Sequence, residues 1–388
     1  LKLRLSAVDE SGVTTLVDGS VEAIGPNATL SVRPADRETT DGSGAIADHA
    51  SALRALLTRL GEERLRSIDA VGHRVVQGGA FVRPAIIDDE VVRAIDAGRR
   101  LAPLHNGPSL AGVLAAGELL PHIPMVAVFD TTFHVTMPDV AARYALPQDF
   151  SRRLGLRRYG YHGIAHRSMT ERYAELTSTP HDEVSIVTLQ LGSGCSATAV
   201  HKGTSVDTSM GFTPLEGLMM GTRAGDLDPG AVAYVLRETG TNLAELEHIL
   251  NEASGLLGVS GTSADMAVLL EQEAAGHARA HAAIEMFCYR ARKYIGAYFA
   301  VLGRVQAVVF GGGIGERAPE VRRRICEPLQ PLGLAVDGAL NTALAGGEGR
   351  FSREGSPVAA WVIPSDEERM IARDTFDVLS RSSTPVEP

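Results

Sequence analysis

The chain has 388 residues, 44% hydrophobic and 22% charged, with a formal net charge of −10. That length suits two packed domains, and the negative balance argues against nucleic acid as a partner. No apolar run reaches the ~18 residues needed to cross a membrane, no secretory signal pattern is visible, and three cysteines without metal-ligand spacing are too few for a disulfide scaffold. A reducing, cytoplasmic setting is the expectation.

In chain order, periodicity predicts a helix over 45–60, a strand over 70–76, helices over 88–101 and 109–120, and a strand over 125–129. A helix over 164–176 precedes strands over 183–191 and 197–201. Helices over 229–238, 243–252 and 274–302 follow, then strands over 305–310 and 358–363 and a last helix over 365–379. The last helix begins with Ser365 and carries Asp366, Glu367 and Glu368 in its first turn, a capped and acid-rich start. Strand-like and helix-like segments alternating in this way argue an α/β fold.

Two glycine-rich turns follow strands. Gly192-Ser193-Gly194 comes after the apolar run ending in Gln190-Leu191, and Gly311 to Gly315 comes after 308–310. Backbone N–H groups freed in such turns can hold phosphate or let a nucleotide lie close; the same turns serve equally as plain chain reversals. Neither is a Walker loop, because no Gly-Lys-Ser/Thr follows. Gly192-x-Gly194-x-x-Ala197 runs into a second strand rather than a helix, so a dinucleotide fingerprint is rejected.

Segment 207–230 holds five glycines, two prolines and one arginine, and has no amphipathic period. Arg223 sits among small residues, where its planar fork suits a carboxylate or phosphate; alternatively it pairs with Asp226 or Asp228 to staple a loop. Arg74, inside an apolar strand, needs an acid, a ligand or water. Asp130 ends a strand, where α/β folds collect function, or else caps the next turn through Thr132. His162 and His166 have a helical spacing that could bind zinc, but no acid or cysteine is near in sequence; a neutral core histidine is the alternative. Glu367 and Glu368 are explained by the helix dipole without function.

Taken together, VGHRVVQGG (71–79), APLHNGPS (102–109), VFDTTFH (128–134), RRYGYHGIAHR (157–167), DTSMGFTPLEGLMMGTRAGDLDPG (207–230), VVFGGGIGER (308–317) and VIPSDEERMIARDT (362–375) resemble the acetate kinase family of the acetate and sugar kinase, Hsp70 and actin superfamily. The resemblance runs over nearly the whole chain. It implies two duplicated actin-like (ribonuclease H-like) α/β domains with an interdomain cleft, with residues 1–131 plus 368–388 forming the first and 132–367 the second, which binds nucleotide and makes a homodimer. An internal echo agrees: 71–79 and 307–315 both read as strand then glycine turn, and the start of the chain reads as the second half of the hairpin seen at 184–203. The family's opening strand and its Asn-x-Gly-Ser-Ser-Ser turn have no counterpart before Leu1 in this sequence.

By resemblance, Arg74 and Arg223 meet the acyl carboxylate and the transferring phosphoryl group, His162 contacts that group in the transition state, and Asp130 organises the acyl substrate and a metal-bound water. Glu367 is implied as a ligand of Mg²⁺ (or Mn²⁺), Lys2 as the phosphate-side lysine, and Val76, Leu104, Tyr161 and Pro214 as the acyl pocket. The first glycine turn, Gln190 to Gly194, is implied to hold the phosphates of ATP or ADP. Asp265, Met266 and Ala267, with Gly313, Ile314, Gly315, Glu316 and Arg317, are implied to lie beside the adenosine.

Departures from the family pattern concentrate on the nucleotide side. Gln190 and Ser193 stand where the family has histidine and asparagine, Arg317 where it has asparagine, and Ala267 where it has an arginine against adenine. Asp265 can still accept from a ribose hydroxyl and Met266 can pack against a base, but Ala267 offers neither plane nor donor. The acyl and phosphoryl residues are intact. The expectation is an acetate kinase: reversible phosphoryl transfer from ATP to acetate by in-line attack of the carboxylate, with neither nucleic acid nor membrane as partner. A propionate or butyrate kinase, use of pyrophosphate or another nucleotide, and a weakened or purely nucleotide- or phosphate-binding homologue remain open.

Overall fold

The structure is a computed structural model that describes residues 1–35 and 39–382. The chain divides into two compact units, Leu1–Thr132 with the segment from Asp366 onward, and Phe133–Ser365.

The first unit opens with an antiparallel meander, β1 (Lys2–Asp9), β2 (Gly12–Glu22), β3 (Gly25–Pro34) and β4 (Thr40–Ile46), in that spatial order. Val17 and Val21 of β2 and Ala28, Leu30 and Val32 of β3 share one side of the pleated sheet, so that face is apolar. Helix His49–Leu60 covers it with Ala52, Leu56, Leu57 and Leu60. That helix was expected from residue 45; Ala45 and Ile46 instead end β4, and Asp48 sets the start by accepting from Ser51 N at 2.7 Å.

A separate three-stranded sheet contains β5 (Val71–Val75), β6 (Ala85–Ile86) and β7 (Met125–Phe129), with β5 and β7 parallel. Its core is Val75, Val91, Ile95, Val113, Ala127 and Phe129. The helix expected over 109–120 starts earlier, as Pro103–Leu119, because proline fits a first turn. Buried Asn106 in that turn accepts from Gln77 N and donates to the carbonyls of Gln77 and Ile95, tying the segment after β5 to its neighbours. The last helix, Glu367–Ser382, packs on β5 and β1. Gly72 permits this approach, since a Cβ there would lie 2.4 Å from Thr375 Oγ1 and 2.6 Å from Ile371 Cγ2.

Between the outer edges of β1 and β5 is a cavity of about 960 Å³, lined among others by Leu3, Leu5, Val71, Ala116 and Ile371. Two buried polar atoms at or beside this lining, Ser6 Oγ and His73 Nε2, have no hydrogen-bond partner.

In the second unit one six-stranded sheet has the order β10-β9-β8-β11-β13-β12, formed by β8 (Ser185–Leu191), β9 (Cys195–His201), β10 (Thr204–Thr208), β11 (Ala307–Gly311), β12 (Gly349–Arg350) and β13 (Ala359–Val362). β8, β11 and β13 run parallel, and β8 also starts the antiparallel meander with β9 and β10. Every residue of β11 is buried, as expected of a parallel strand covered on both faces. Helix Gly163–Thr177 contributes Met169 and Tyr173 to the core with Ile186, Val200, Ala307, Val309 and Ile363. Helix Ala278–Leu302 buries Ile284, Phe287, Cys288 and Ile295. It was expected from residue 274, but Ala274 ends the preceding helix, Met266–Ala274, and Gly276 at φ 88° breaks the chain between them. In the second unit β8 joins meander to parallel strands; among the described residues the first unit has no strand in that position, and its two sheets stay apart.

The three cysteines are buried and unpaired. Among the described residues no helix is long and apolar enough to cross a membrane.

Candidate active site

In the first unit the residues singled out from the sequence converge on Arg74. Asp130, fully buried at the end of β7, accepts from Arg74 Nε at 3.2 Å and Nη2 at 2.8 Å. The parallel register that places Arg74 opposite Val128 and Val75 opposite Phe129 brings the two side chains together. Glu367 completes the group, with Oε2 2.8 Å from Arg74 Nη1. Arg74 thus has the acidic partners that its place in an apolar strand demands. Burial acts to lower its pKa, but the charges of Asp130 and Glu367 outweigh this and the net shift is upward. Burial pushes Glu367 up to about 6, against the pull of Arg74. The alternative for Asp130, a cap through Thr132, is not what forms: Thr132 Oγ1 donates to Phe129 O at 2.9 Å.

Lys2 lies exposed in β1 and lines the cavity beside Glu367. Val76 is buried in the same unit. Leu104 falls in helix Pro103–Leu119, and its side chain lies outside the described residues.

In the second unit the two glycine-rich segments sit side by side, because β8 and β11 are parallel neighbours with Gln190 opposite Gly311. The first is a turn, closed by Gly192 N donating to Gly194 O at 3.0 Å. The second was expected as a turn and is instead the start of helix Gly312–Arg317, directly after β11. Gly312 makes this possible: it has φ 74°, and a Cβ there would meet the Leu191 backbone at 2.6 to 2.8 Å. Glu316 folds back to accept from Gly312 N at 3.0 Å. Arg322, fully buried and not singled out from the sequence, donates to the carbonyls of Gly315 and Glu316 at 2.8 Å and to Asn341. An arginine in the run 322–324 carries no local signal that separates it from its half-buried neighbours.

His162 and Arg223 come together at Gly194. A Cβ on Gly194 would lie 3.4 Å from His162 Nε2 and 3.6 Å from Arg223 Nη1. His162 caps helix Gly163–Thr177 at φ 56°, a left-handed conformation that a non-glycine residue holds only when its surroundings impose it. Arg223 Nη1 donates to Pro214 O at 3.0 Å, and burial lowers its pKa from the ordinary value. The staple to Asp226 or Asp228 does not form. Asp226 accepts from Gly217 N and Tyr294, and Asp228 caps helix Pro229–Glu238. Tyr161 is buried and donates to Phe212 O at 2.8 Å; Pro214 is buried.

The helical spacing of His162 and His166 serves a shared hydrogen-bond partner. Both rings reach the same hydroxyl, Ser196 Oγ, at 2.8 Å each, and among the described residues no group of three or more potential ligands could hold a metal. On the nucleotide side, Asp265 caps helix Met266–Ala274 by accepting from Ala267 N at 2.7 Å. Met266 is buried in its own unit, while Ala267 is exposed. Buried Gln190 Oε1 has no hydrogen-bond partner.

The second unit thus places two glycine-rich segments side by side at the ends of parallel strands, where freed backbone N–H groups suit phosphate. A model described as Acetokinase family matches residues 2–373. An acetate kinase of Symbiobacterium thermophilum is 46% identical over 384 residues, covering 97% of this chain and 96% of that protein. One of Bacillus subtilis is 43% identical over 381 residues, covering 96% and 95%. Among solved structures, acetate kinase of Porphyromonas gingivalis matches with a TM-score of 0.87 at 38% identity, covering 97% of each chain. A propionate kinase of Francisella tularensis matches with a TM-score of 0.89 at 35% identity, again covering 97% of each. The chain belongs to the acetokinase family.

Proposed function

We propose that the chain is an acetate kinase that transfers the γ-phosphoryl group of ATP reversibly to acetate, giving acetyl phosphate and ADP. The observation that carries this reading is the meeting of His162 and Arg223 at a side-chain-free position, Gly194, in the turn beside the second glycine-rich segment. Phosphoryl transfer asks for positioning and charge neutralisation rather than covalent chemistry, and a half-buried guanidinium beside an imidazole supplies donors where anionic charge spreads. In this reading Arg74 holds the acyl carboxylate, which attacks the γ-phosphorus directly. Lys2 and the segment Gln190–Gly194 serve the phosphates, and the helix Gly312–Arg317 serves the adenosine.

Glu367 would hold a Mg²⁺ ion (or Mn²⁺), with Asp130 ordering a water bound to that ion. Mg²⁺ is typically bound through one or two carboxylates, with water and substrate phosphate filling the remaining positions, and Glu367 offers one such hard oxygen donor, with Asp130 held beside it by the same arginine. When bound, the ion supplies neutralisation of phosphate charge. In the same reading Val76, Leu104, Tyr161 and Pro214 form the acyl pocket. The enzyme works as a homodimer in the cytoplasm, which sedimentation of the purified chain tests.

The deciding experiment measures acyl phosphate formation with acetate, propionate and butyrate in turn. Highest kcat/KM with acetate supports the proposal; highest kcat/KM with propionate or butyrate makes the chain a kinase of longer acids; no transfer with any of them reduces it to a binding homologue.

A further inference from the structure

Four side chains of the second unit form an unbroken line: Thr188 in β8, His166, Ser196 in β9, and His162. Thr188 Oγ1 lies 2.7 Å from His166 Nδ1, His166 Nε2 lies 2.8 Å from Ser196 Oγ, and the same oxygen lies 2.8 Å from His162 Nδ1. Thr188, His166 and Ser196 are all fully buried, so a misplaced proton has no water to turn to.

We propose that Thr188, His166 and Ser196 are positioning residues whose hydrogen bonds run in one direction only, fixing His162 as the tautomer that carries its proton on Nε2, beside Arg223. The direction follows from counting protons. Burial keeps His166 neutral, so it has a single N–H. If that proton were on Nδ1, it would point at Thr188, and the Thr188 hydroxyl proton would have no acceptor in a buried position. If it is on Nε2, every proton is used: Thr188 donates to His166 Nδ1, His166 Nε2–H donates to Ser196, and Ser196 donates to His162 Nδ1. An accepting Nδ1 leaves His162 neutral with its remaining proton on Nε2. That nitrogen borders the space left open by Gly194, as does Arg223 Nη1.

His162 then acts as a fixed donor toward anionic charge, with no proton to take or give. Its left-handed backbone and the serine at its other nitrogen orient the ring together. The inference rests on the proposed role of His162 at the phosphoryl group, and the test separates the two. Long-range ¹⁵N–¹H NMR of the full chain labelled at histidine reads the tautomer directly. The expected result is a protonated Nε2 and bare Nδ1 at His162; a proton on Nδ1 overturns the relay, whether or not any variant folds. In Ser196→Ala the single tautomer should be lost and kcat should fall about tenfold or more, as for other orienting partners of a functional histidine, with KM values little changed. An unchanged tautomer in that variant overturns the relay. A lost tautomer with unchanged kcat upholds the relay and removes His162 from the phosphoryl group.

Discussion

Asp130 accepts two hydrogen bonds from Arg74, one from Nε and one from Nη2, at 3.2 and 2.8 Å, and does so from a fully buried position at the end of the adjacent parallel strand. The pair has a structural and a proposed functional meaning at once, because the two acids that stabilise the guanidinium, Asp130 and Glu367, also fix its orientation.

Removing the guanidinium leaves Asp130 buried without its counter-charge. Arg74→Ala should therefore cost about 3 kcal/mol, the low end for breaking a buried pair, since Arg74 itself is partly exposed. Denaturant titration measures this. The same variant should raise KM for acetate more than KM for ATP; equal changes in both would leave Arg74 with the structural role alone.

Glu367 gives the fold a pH dependence of defined sign. Burial raises its pKa from 4.5 to about 6, so between these values the folded chain binds more protons than the unfolded one. The stability this contributes is present below pH 4.5 and is lost as pH rises through 6. The Glu367→Gln variant should lack that loss. Unfolding midpoints of both proteins from pH 4.5 to 7 check it, and parallel curves would contradict it.

Arg223→Lys keeps the charge but loses the planar fork. It should lower kcat by about 3 kcal/mol of barrier, roughly a hundredfold, with little change in thermal midpoint. Gly194→Ala should act on the same step, because its methyl would press on His162 at 3.3 to 3.4 Å. A near-normal kcat in the lysine variant would return Arg223 to a loop-holding role.

How much of this was legible in the sequence differs by segment. The strand pair around Gly192–Gly194 could be read because glycines interrupt two long apolar runs, and β5 and β7 because each is short, apolar and followed by a turn or an acid. The strands from Gly12 to Ile46 went unread: Pro26, Asn27 and the glycines of β4 weaken the alternation. Their pairing is set by partners distant in sequence. GGGIGER looked like a turn because glycine density signals chain reversal; only contact with Leu191 explains why Gly312 opens a helix there. Arg74, Asp130 and Glu367 were found singly, but their convergence depends on strand register. Ser196 gave no signal, because a serine in a buried strand acquires meaning only from the two histidines brought to it by the fold.

Nucleotide choice should be loose. Met266 is buried and Ala267 is exposed without a donor, so this helix start offers the base little to recognise. The ratio of kcat/KM for ATP over GTP should stay within about tenfold, or ~1.4 kcal/mol. A ratio of a thousand would mean that other residues read the base, with half-buried Gln190 the first to substitute.

The central claim is direct transfer from ATP to a carboxylate, and ATP labelled with ³²P at the γ position tests it most directly. With acetate present, the label should appear in acetyl phosphate; without acetate, the protein should remain unlabelled. Label retained on the protein, or acetyl phosphate that never forms, would contradict the account.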